Sequence, residues 1–523
     1  MSTAKRIAFA VAASWFSRAT TILANLFFMP ILFRHMGKEE LGLWLLLGNS
    51  QAFLGLLGIG VAPILMRDIA LAKGRSGADP GVTLTTETKQ HIGDLVVTGR
   101  TILQWLSIIV FFIAWISGYG FIQQLELKNV APHIVFWSWT LMCAGYAVGI
   151  WISYLDCLLA GMGYIGWDSL LGTALSFLTI LINIAAVVCG GGLLELAAIS
   201  VVASLCQRFV ILGFIRWRKP ELFEIQGRWS TEYAKALIKP SFYYWLTNLG
   251  SFLILRTDAY FIGILKGTQN IPIYQAGYQL VSNLYQLAVS FGAASAVFIG
   301  QAWQAKELGI VQKITIRNSQ LGMSIMAAGV GFLLGVCKEL MDLWLGEGNF
   351  IGYDFILVFC IMLTLEAQQV ILIYSSRATD DENYASWTLM AGFLNVVLTL
   401  VFYKYFGLLG VALGTMFAQM LTNNWYGVYR PIMRLKLSFK NYLNRVLLLW
   451  VVILVLCLSI TNLIKYTLIL LSLNSNWLIV GLSAASCGTI FLIFIWLYIL
   501  ENNQQQYFLY QLRLIKNNIF FTK

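Results

Sequence analysis

Charge is what this 523-residue chain has least of. Only 11% of its residues are Asp, Glu, Lys or Arg, against about 25% in an average soluble domain. With 59% of residues hydrophobic, that shortage excludes an ordinary water-soluble globular protein. No stretch of roughly 60 residues is polar enough to stand as a separate soluble domain. Histidine is nearly missing: His35, His91 and His133 are scattered in loops or at span ends. The eight cysteines lie in or beside apolar runs, and none forms a C-x-x-C pair. They read as small hydrophobes, so no metal site, cofactor or redox motif is expected. Long outer loops are also lacking, none exceeding about 20 residues, which leaves little on that side for building a catalytic domain.

What is present is a succession of apolar runs long enough to cross a bilayer. About fourteen spans are predicted, near 7–33, 40–63, 96–120, 132–160, 167–189, 193–216, 237–264, 274–300, 314–336, 351–376, 385–405, 408–430, 443–465 and 474–500. Lys5 and Arg6 precede the first run, but it reaches Phe33, contains Arg18 and lacks a small-residue cleavage site. A first spanning helix fits better than a cleaved signal. Lys and Arg exceed Asp and Glu, 35 to 24. In a membrane protein that excess is read as topology, not as nucleic-acid binding. With both termini in the cytoplasm, the outer loops hold only Arg34, Lys38, Lys128, Lys266, Lys338, Lys404 and Lys465. Arg18, Arg208 and Arg256 fall inside spans, and nearly all the others fall on inner loops or tails. Arg208, near the inner end of its span, is expected to snorkel to the interface.

An internal repeat is visible. "GLLELAAI" (192–199) opens the sixth span as "GLLGVALG" (407–414) opens the twelfth, and "YIGW" (164–167) precedes the fifth as "YASW" (384–387) precedes the eleventh. The expected fold is an all-α polytopic membrane protein with two related six-helix halves around a central cavity, plus two extra C-terminal helices. The halves cover 1–236 and 237–436, the added helices 437–500 and a cytoplasmic tail 501–523. Repeated halves that rock around a central site are a transporter architecture.

Polar residues fall on shared helix faces. Spacing of i, i+4, i+7 and i+11 collects Ser14, Arg18, Thr21 and Asn25 in the first span. The same rule collects Gln275, Gln279, Ser282 and Gln286 in the eighth. In the seventh, Tyr244, Thr247, Asn248, Ser251 and Asp258 lie on one side, and Arg256 does not join them. Arg256 and Asp258 are about 200° apart on a helix, so each needs its own partner or a helix enclosed on both sides. Glu366 lies near the middle of the tenth span with Gln369 one turn on. Arg18, Arg256, Asp258 and Glu366 would together cost roughly 10 kcal/mol in lipid, at about 2.5 each. They must face each other, water or a ligand. Ion pairs that only lock helices together are one account. The other is a polar cavity, where arginine forks suit phosphate and Gln, Asn, Ser and Tyr suit a hydroxyl-rich ligand.

The segment "MPILFRHMGKEELGLWLLLGNSQAFLGLLGIGVAPILMRDIALAKGR" (29–75) resembles the opening of bacterial oligosaccharide flippases. These are the O-antigen or Wzx-type transporters of the multidrug/oligosaccharidyl-lipid/polysaccharide exporter superfamily. The matching features are Pro30, Gly37, Leu41-Gly42-Leu43-Trp44 and the glycines Gly58 and Gly60. "RTDAYFIGILKGTQNIPIYQAGYQL" (256–280) is similar to the same family's seventh-to-eighth passage. One departure is Ile59, which stands where family members often carry an acid.

The resemblance implies transport of polyprenyl-diphosphate-linked oligosaccharide from the cytoplasmic to the outer leaflet of the bacterial inner membrane. Arg18 and Arg256 would hold the diphosphate. Ser14, Thr21, Asn25, Asn248, Gln275, Gln279 and Gln286 would wet the glycan, and Asp258 or Glu366 would couple transport to an ion. Partners implied are the lipid-linked oligosaccharide and membrane lipids, with other polysaccharide-assembly proteins as further candidates. The rival readings are a multidrug/cation antiporter, a lipid-linked peptidoglycan-precursor flippase, a membrane polysaccharide polymerase and a non-transporting scaffold. An antiporter calls for carboxylates in the cavity to trade cations, and the first span offers Arg18 and no acid. A polymerase calls for a large outer loop.

Overall fold

The computed structural model describes residues 23–58, 60–74, 84–218, 226–304, 306–379, 383–473 and 475–499, with 16, 20, 21, 220, 381 and 505. Among the described residues the chain is helical and contains no strand. Nine helices among them are long and apolar enough to cross a membrane. The first expected span is described continuously only from residue 23, and the seventh and twelfth are broken helices. Large apolar side chains such as Trp105, Phe112, Ile116, Phe393 and Leu463 point outward. That surface suits hydrocarbon rather than water. The chain divides into two compact units, Met1–Gln275 with Thr388–Val397, and Ala276–Trp387 with Leu398–Lys523.

The first unit contains α1 (residues 23–35), α2 (Lys38–Leu57), α3 (Val61–Gly74), α4 (Thr86–Ile122), α5 (Pro132–Ile152) and α6 (Tyr154–Leu159). It continues through α7 (Ile165–Val188), α8 (Leu193–Arg218), α9 (Thr231–Leu255), α10 (Asp258–Leu265) and the start of α11 (Ile271–Gln304). Helix starts follow capping chemistry: Thr85 accepts from Thr88 N at 3.3 Å, and Ser230 from Tyr233 N at 3.4 Å. Two acids in the first turn of α2 satisfy orphan N–H groups elsewhere. Glu39 accepts from Lys128 N at 2.7 Å and Asn129 N at 2.8 Å, and Glu40 from Leu193 N at 2.7 Å. The core joins Leu65, Ile69, Leu103, Leu159, Ile211 and Leu237.

The second unit contains α12 (Leu308–Leu345), α13 (Tyr353–Arg377), α15 (Leu408–Leu421), α16 (Asn423–Arg434), α17 (Phe439–Tyr442), α18 (Leu448–Leu470) and α19 (Asn476–Phe494). α14 (Ala385–Phe406) contributes residues 388–397 to the first unit, and 385–387 and 398–406 to the second. The two added helices, α18 and α19, pack on α12 through Ala327, Ile453, Cys457 and Cys487. The approach is close: a Cβ on Gly331 would lie 2.7 Å from Cys457 Cβ. Both stretches of the expected repeat open a helix here, α8 and α15. Gly407, with φ 57 and ψ −134, makes the turn before α15 in a conformation that side-chain-bearing residues avoid.

Candidate functional site

The passage from Arg256 to Asp258 is where α9 stops. Arg256 is its C-cap, at φ −125 and ψ −10, and α10 begins at Asp258. The break separates two charges that one continuous helix would have left on opposing faces. Asp258 turns into protein: it is buried and accepts from Tyr274 Oη at 2.6 Å. It also sits in the first turn of α10, where the helix dipole favours an anion. Arg256 is exposed and donates from Nη1 to Asn49 Oδ1 at 3.3 Å.

The break is held open from α14. Asn395 Nδ2 donates to Leu253 O at 2.8 Å, to Thr257 Oγ1 at 3.3 Å and to Ile254 O at 3.4 Å. Two of these acceptors are carbonyls of the last turn of α9, where the helix runs out of N–H donors, and Thr257 Oγ1 itself donates to Leu253 O at 2.8 Å. Glycines let the helices close: a Cβ on Gly392 would lie 2.7 Å from Leu253 Cβ, and one on Gly250 would lie 2.8 Å from the Thr388 carbonyl carbon.

Arg256 lines a cavity of about 600 Å³ within the first unit. Asn248, Ser251 and Trp245 of α9 line it too, as do Ser204 and Arg208 of α8. The room comes from glycines at the end of α2, after it and along α5: Gly55, Gly58, Gly60, Gly145 and Gly149. Residues of both expected sequence halves, before and after 236/237, therefore meet around it.

Arg208 does not snorkel. Its guanidinium forms an ion pair with Asp156 of α6, and the side chains are only 15% and 23% exposed. A carboxylate from a different helix stands beside it, so the arginine gains more by pairing than by reaching for an interface. Among the described residues, Arg208 Nε and Asp156 Oδ1 find no hydrogen-bond partner. The pair thus retains donor and acceptor capacity beside a cavity. Asp156 and Arg208 were legible as opposite charges in two separate apolar runs. Asn395, a single amide in an apolar run, gave a weaker signal.

The remaining expected site residues are placed as follows. Ser14 and Arg18 lie outside the described residues. Thr21 is exposed and Asn25 half-buried, and neither is among the residues lining this cavity. Gln275, Gln279 and Gln286 lie on α11, the first at the end of the first unit and the other two in the second. Glu366 belongs to the second unit, buried on α13, where Gln369 and Gln419 donate to its carboxylate, the latter from α15 at 3.2 Å. Both glutamines are fully buried, and among the described residues Glu366 is enclosed by amides with no cation among its hydrogen-bonding partners.

A smaller apolar cavity of about 240 Å³ shares Phe252 with the polar one and runs along Leu46, Ile122 and Val135. Tyr260 Oη donates to Ser50 Oγ at 2.9 Å on its wall.

Comparison with known proteins bears on what such a site serves. Residues 11–298 match the family model described as polysaccharide biosynthesis protein. No curated protein sequence matches the chain. The fold is similar to that of the lipid II flippase MurJ in an inward closed conformation, with a TM-score of 0.65 at 15% identity, covering 93% of this chain and 98% of that one. It is equally similar to an inward-facing multidrug-resistance transporter of the MATE family, with a TM-score of 0.65 at 14% identity over 82% of this chain and 98% of the other. A MOP-superfamily transporter from Pyrococcus furiosus, described by a binding pocket of reverse polarity, matches with a TM-score of 0.60 at 15% identity, over 83% and 96%. This multi-pass chain, folded like the MurJ and MATE transporters of the MOP superfamily, belongs to the polysaccharide biosynthesis protein family.

Proposed function

We propose that the chain is a flippase that moves polyprenyl-diphosphate-linked oligosaccharide from the cytoplasmic to the outer leaflet by alternating access. It works in the bacterial inner membrane with both termini in the cytoplasm. The observation that carries this reading is the first-unit cavity, where the guanidinium groups of Arg208 and Arg256 stand beside Asn248 and Ser251. A guanidinium is planar and donates two parallel hydrogen bonds to a phosphate. Two of them match the oxygens of a diphosphate, and with Asp156 balancing Arg208 the site keeps the net positive charge of Arg256. Asn248, Ser251 and Ser204 offer hydroxyl and amide partners to the first sugars, and Trp245 offers a ring face. About 600 Å³ falls within the roughly 300–1,000 Å³ range of small-ligand sites. The polyprenyl tail stays in the bilayer, where transfer costs nothing. Family membership supports a glycan cargo.

Arg18 completes the site from the first span on this reading, and Asp258 or Glu366 supplies any coupling to a proton or cation. Cells carrying Arg18→Ala with Arg256→Ala are expected to insert the protein normally, lose surface polysaccharide and accumulate lipid-linked units on the inner face. Wild-type surface glycan in that strain would contradict the assignment. Single units reaching the surface would point to a polymerase instead.

A further inference from the structure

The second unit has a larger cavity that the transport reading does not use. It measures about 870 Å³ and is lined by Lys313 and Arg317 of α12, Lys436 after α16, and Arg445 before α18. No acidic side chain is among its described lining residues. Its other wall is apolar: Leu448, Val452, Phe494 and Tyr498. We propose that this is a binding site for the phosphate head group of an anionic phospholipid, with an acyl chain laid along the apolar wall.

The cations are gathered by the backbone. Lys313 and Arg317 are four residues apart and share a face of α12. Gln312 Nε2 donates to Leu435 O at 2.9 Å and Lys436 O at 3.0 Å, pinning the loop after α16 to that helix. Two turns further along, Gln320 Nε2 donates to Arg445 O at 3.2 Å. Four like charges around one space repel each other, and an anion between them relieves that.

The mixture of walls selects the occupant. Arginine forks and lysine ammonium groups match phosphate oxygens, and Ser438, Asn441 and Asn444 add polar partners. A free phosphate would leave the apolar wall unused, and an acidic peptide would bury polar backbone against it. The chain's own tail is disfavoured by charge, since residues 501–523 carry Arg513, Lys516 and Lys523 against Glu501. The proposed topology puts all four cations on inner loops, beside the leaflet whose anionic lipids attract basic segments. The site does not depend on the identity of the transported cargo.

The test is native mass spectrometry of the full-length protein released from phosphatidylglycerol nanodiscs, with melting in phosphatidylcholine as the folding control. Wild type is expected to retain phosphatidylglycerol. Arg317→Gln with Arg445→Gln should weaken retention about 30-fold, at about 1 kcal/mol per basic residue, and leave melting in phosphatidylcholine unchanged. If that double variant does not fold, Lys436→Gln, on an exposed loop residue, should weaken retention about fivefold. Equal retention by variant and wild type would overturn the proposal. So would displacement of the lipid by millimolar inorganic phosphate, which would mark a plain anion site. Preferential displacement by a polyprenyl diphosphate would also overturn it, reassigning the cavity to cargo.

Discussion

Breaking the Arg208–Asp156 pair from either side separates a structural lock from a ligand site. The two side chains come from α8 and α6 and are 15% and 23% exposed. Removing one member of a fully buried pair costs about 3–5 kcal/mol, because the other charge stays behind uncompensated. Partial exposure of both groups to the cavity lowers this to about 2–3 kcal/mol. Asp156→Asn and Arg208→Gln should each melt earlier in detergent by that amount. Neither charge is left in the combined variant, so most of the stability should return, to within about 1 kcal/mol of wild type. Transport should behave differently. Asp156→Asn keeps the guanidinium in the cavity and should keep measurable glycan export. Arg208→Gln should lose export, and the combined variant should not recover it, since the group that meets phosphate is gone. Recovery of export together with stability in the combined variant would refute the reasoning and reduce the pair to a helix lock.

Asn395→Leu should cost about 1–3 kcal/mol by removing the one amide that donates to Ile254 O, Leu253 O and Thr257 Oγ1. It should also lower export because Arg256 is presented from that break; melting and surface glycan check the two effects separately. Gly331→Val should destabilise by about 1–3 kcal/mol through collision with Cys457. Gly481→Ala on α19, which meets nothing within 4 Å, should not destabilise and is the control in the same melting assay. Asp381 gives an acid-side prediction. Burial pushes its carboxyl up, but hydrogen bonds from Arg430, at 2.8 Å to Oδ2, and from Ser376, at 2.9 Å, more than offset this and hold it below the usual aspartate range. With the folded value depressed, the stabilisation is fully present above the ordinary aspartate pKa of about 3.9 and is lost as pH falls through the depressed value. Wild type should therefore lose more stability on acidification than Asp381→Asn. Parallel melting curves between pH 5 and pH 3 would contradict the sign.

The membrane class was legible because hydrophobic content sets it directly: runs such as those of α4, α13 and α18 need no tertiary knowledge to be read as spans. The break at Arg256 was not legible as a break, because periodicity assumes that a helix continues. The sequence leaves a choice between separate partners and a helix enclosed on both sides, and the structure gives Arg256 and Asp258 the separate partners Asn49 and Tyr274. The pairing of Arg208 is hidden from the sequence for a related reason. Its partner lies 52 positions earlier, on another helix, and only the packing of α6 against α8 joins them. Glu366 was visible as a charge in a span, but nothing local told that two buried amides, one of them on α15, would enclose it. Asn248 and Arg256 are polar residues visible in one apolar run, and both line the first-unit cavity.

The most direct measurement of the central claim is leaflet-resolved movement of lipid-linked oligosaccharide in proteoliposomes holding equal amounts of folded protein. The account predicts transfer by wild type and transfer at the protein-free background for Arg208→Gln with Arg256→Gln. A rate equal to wild type in that variant would show that guanidinium recognition of the diphosphate is not how this cavity works.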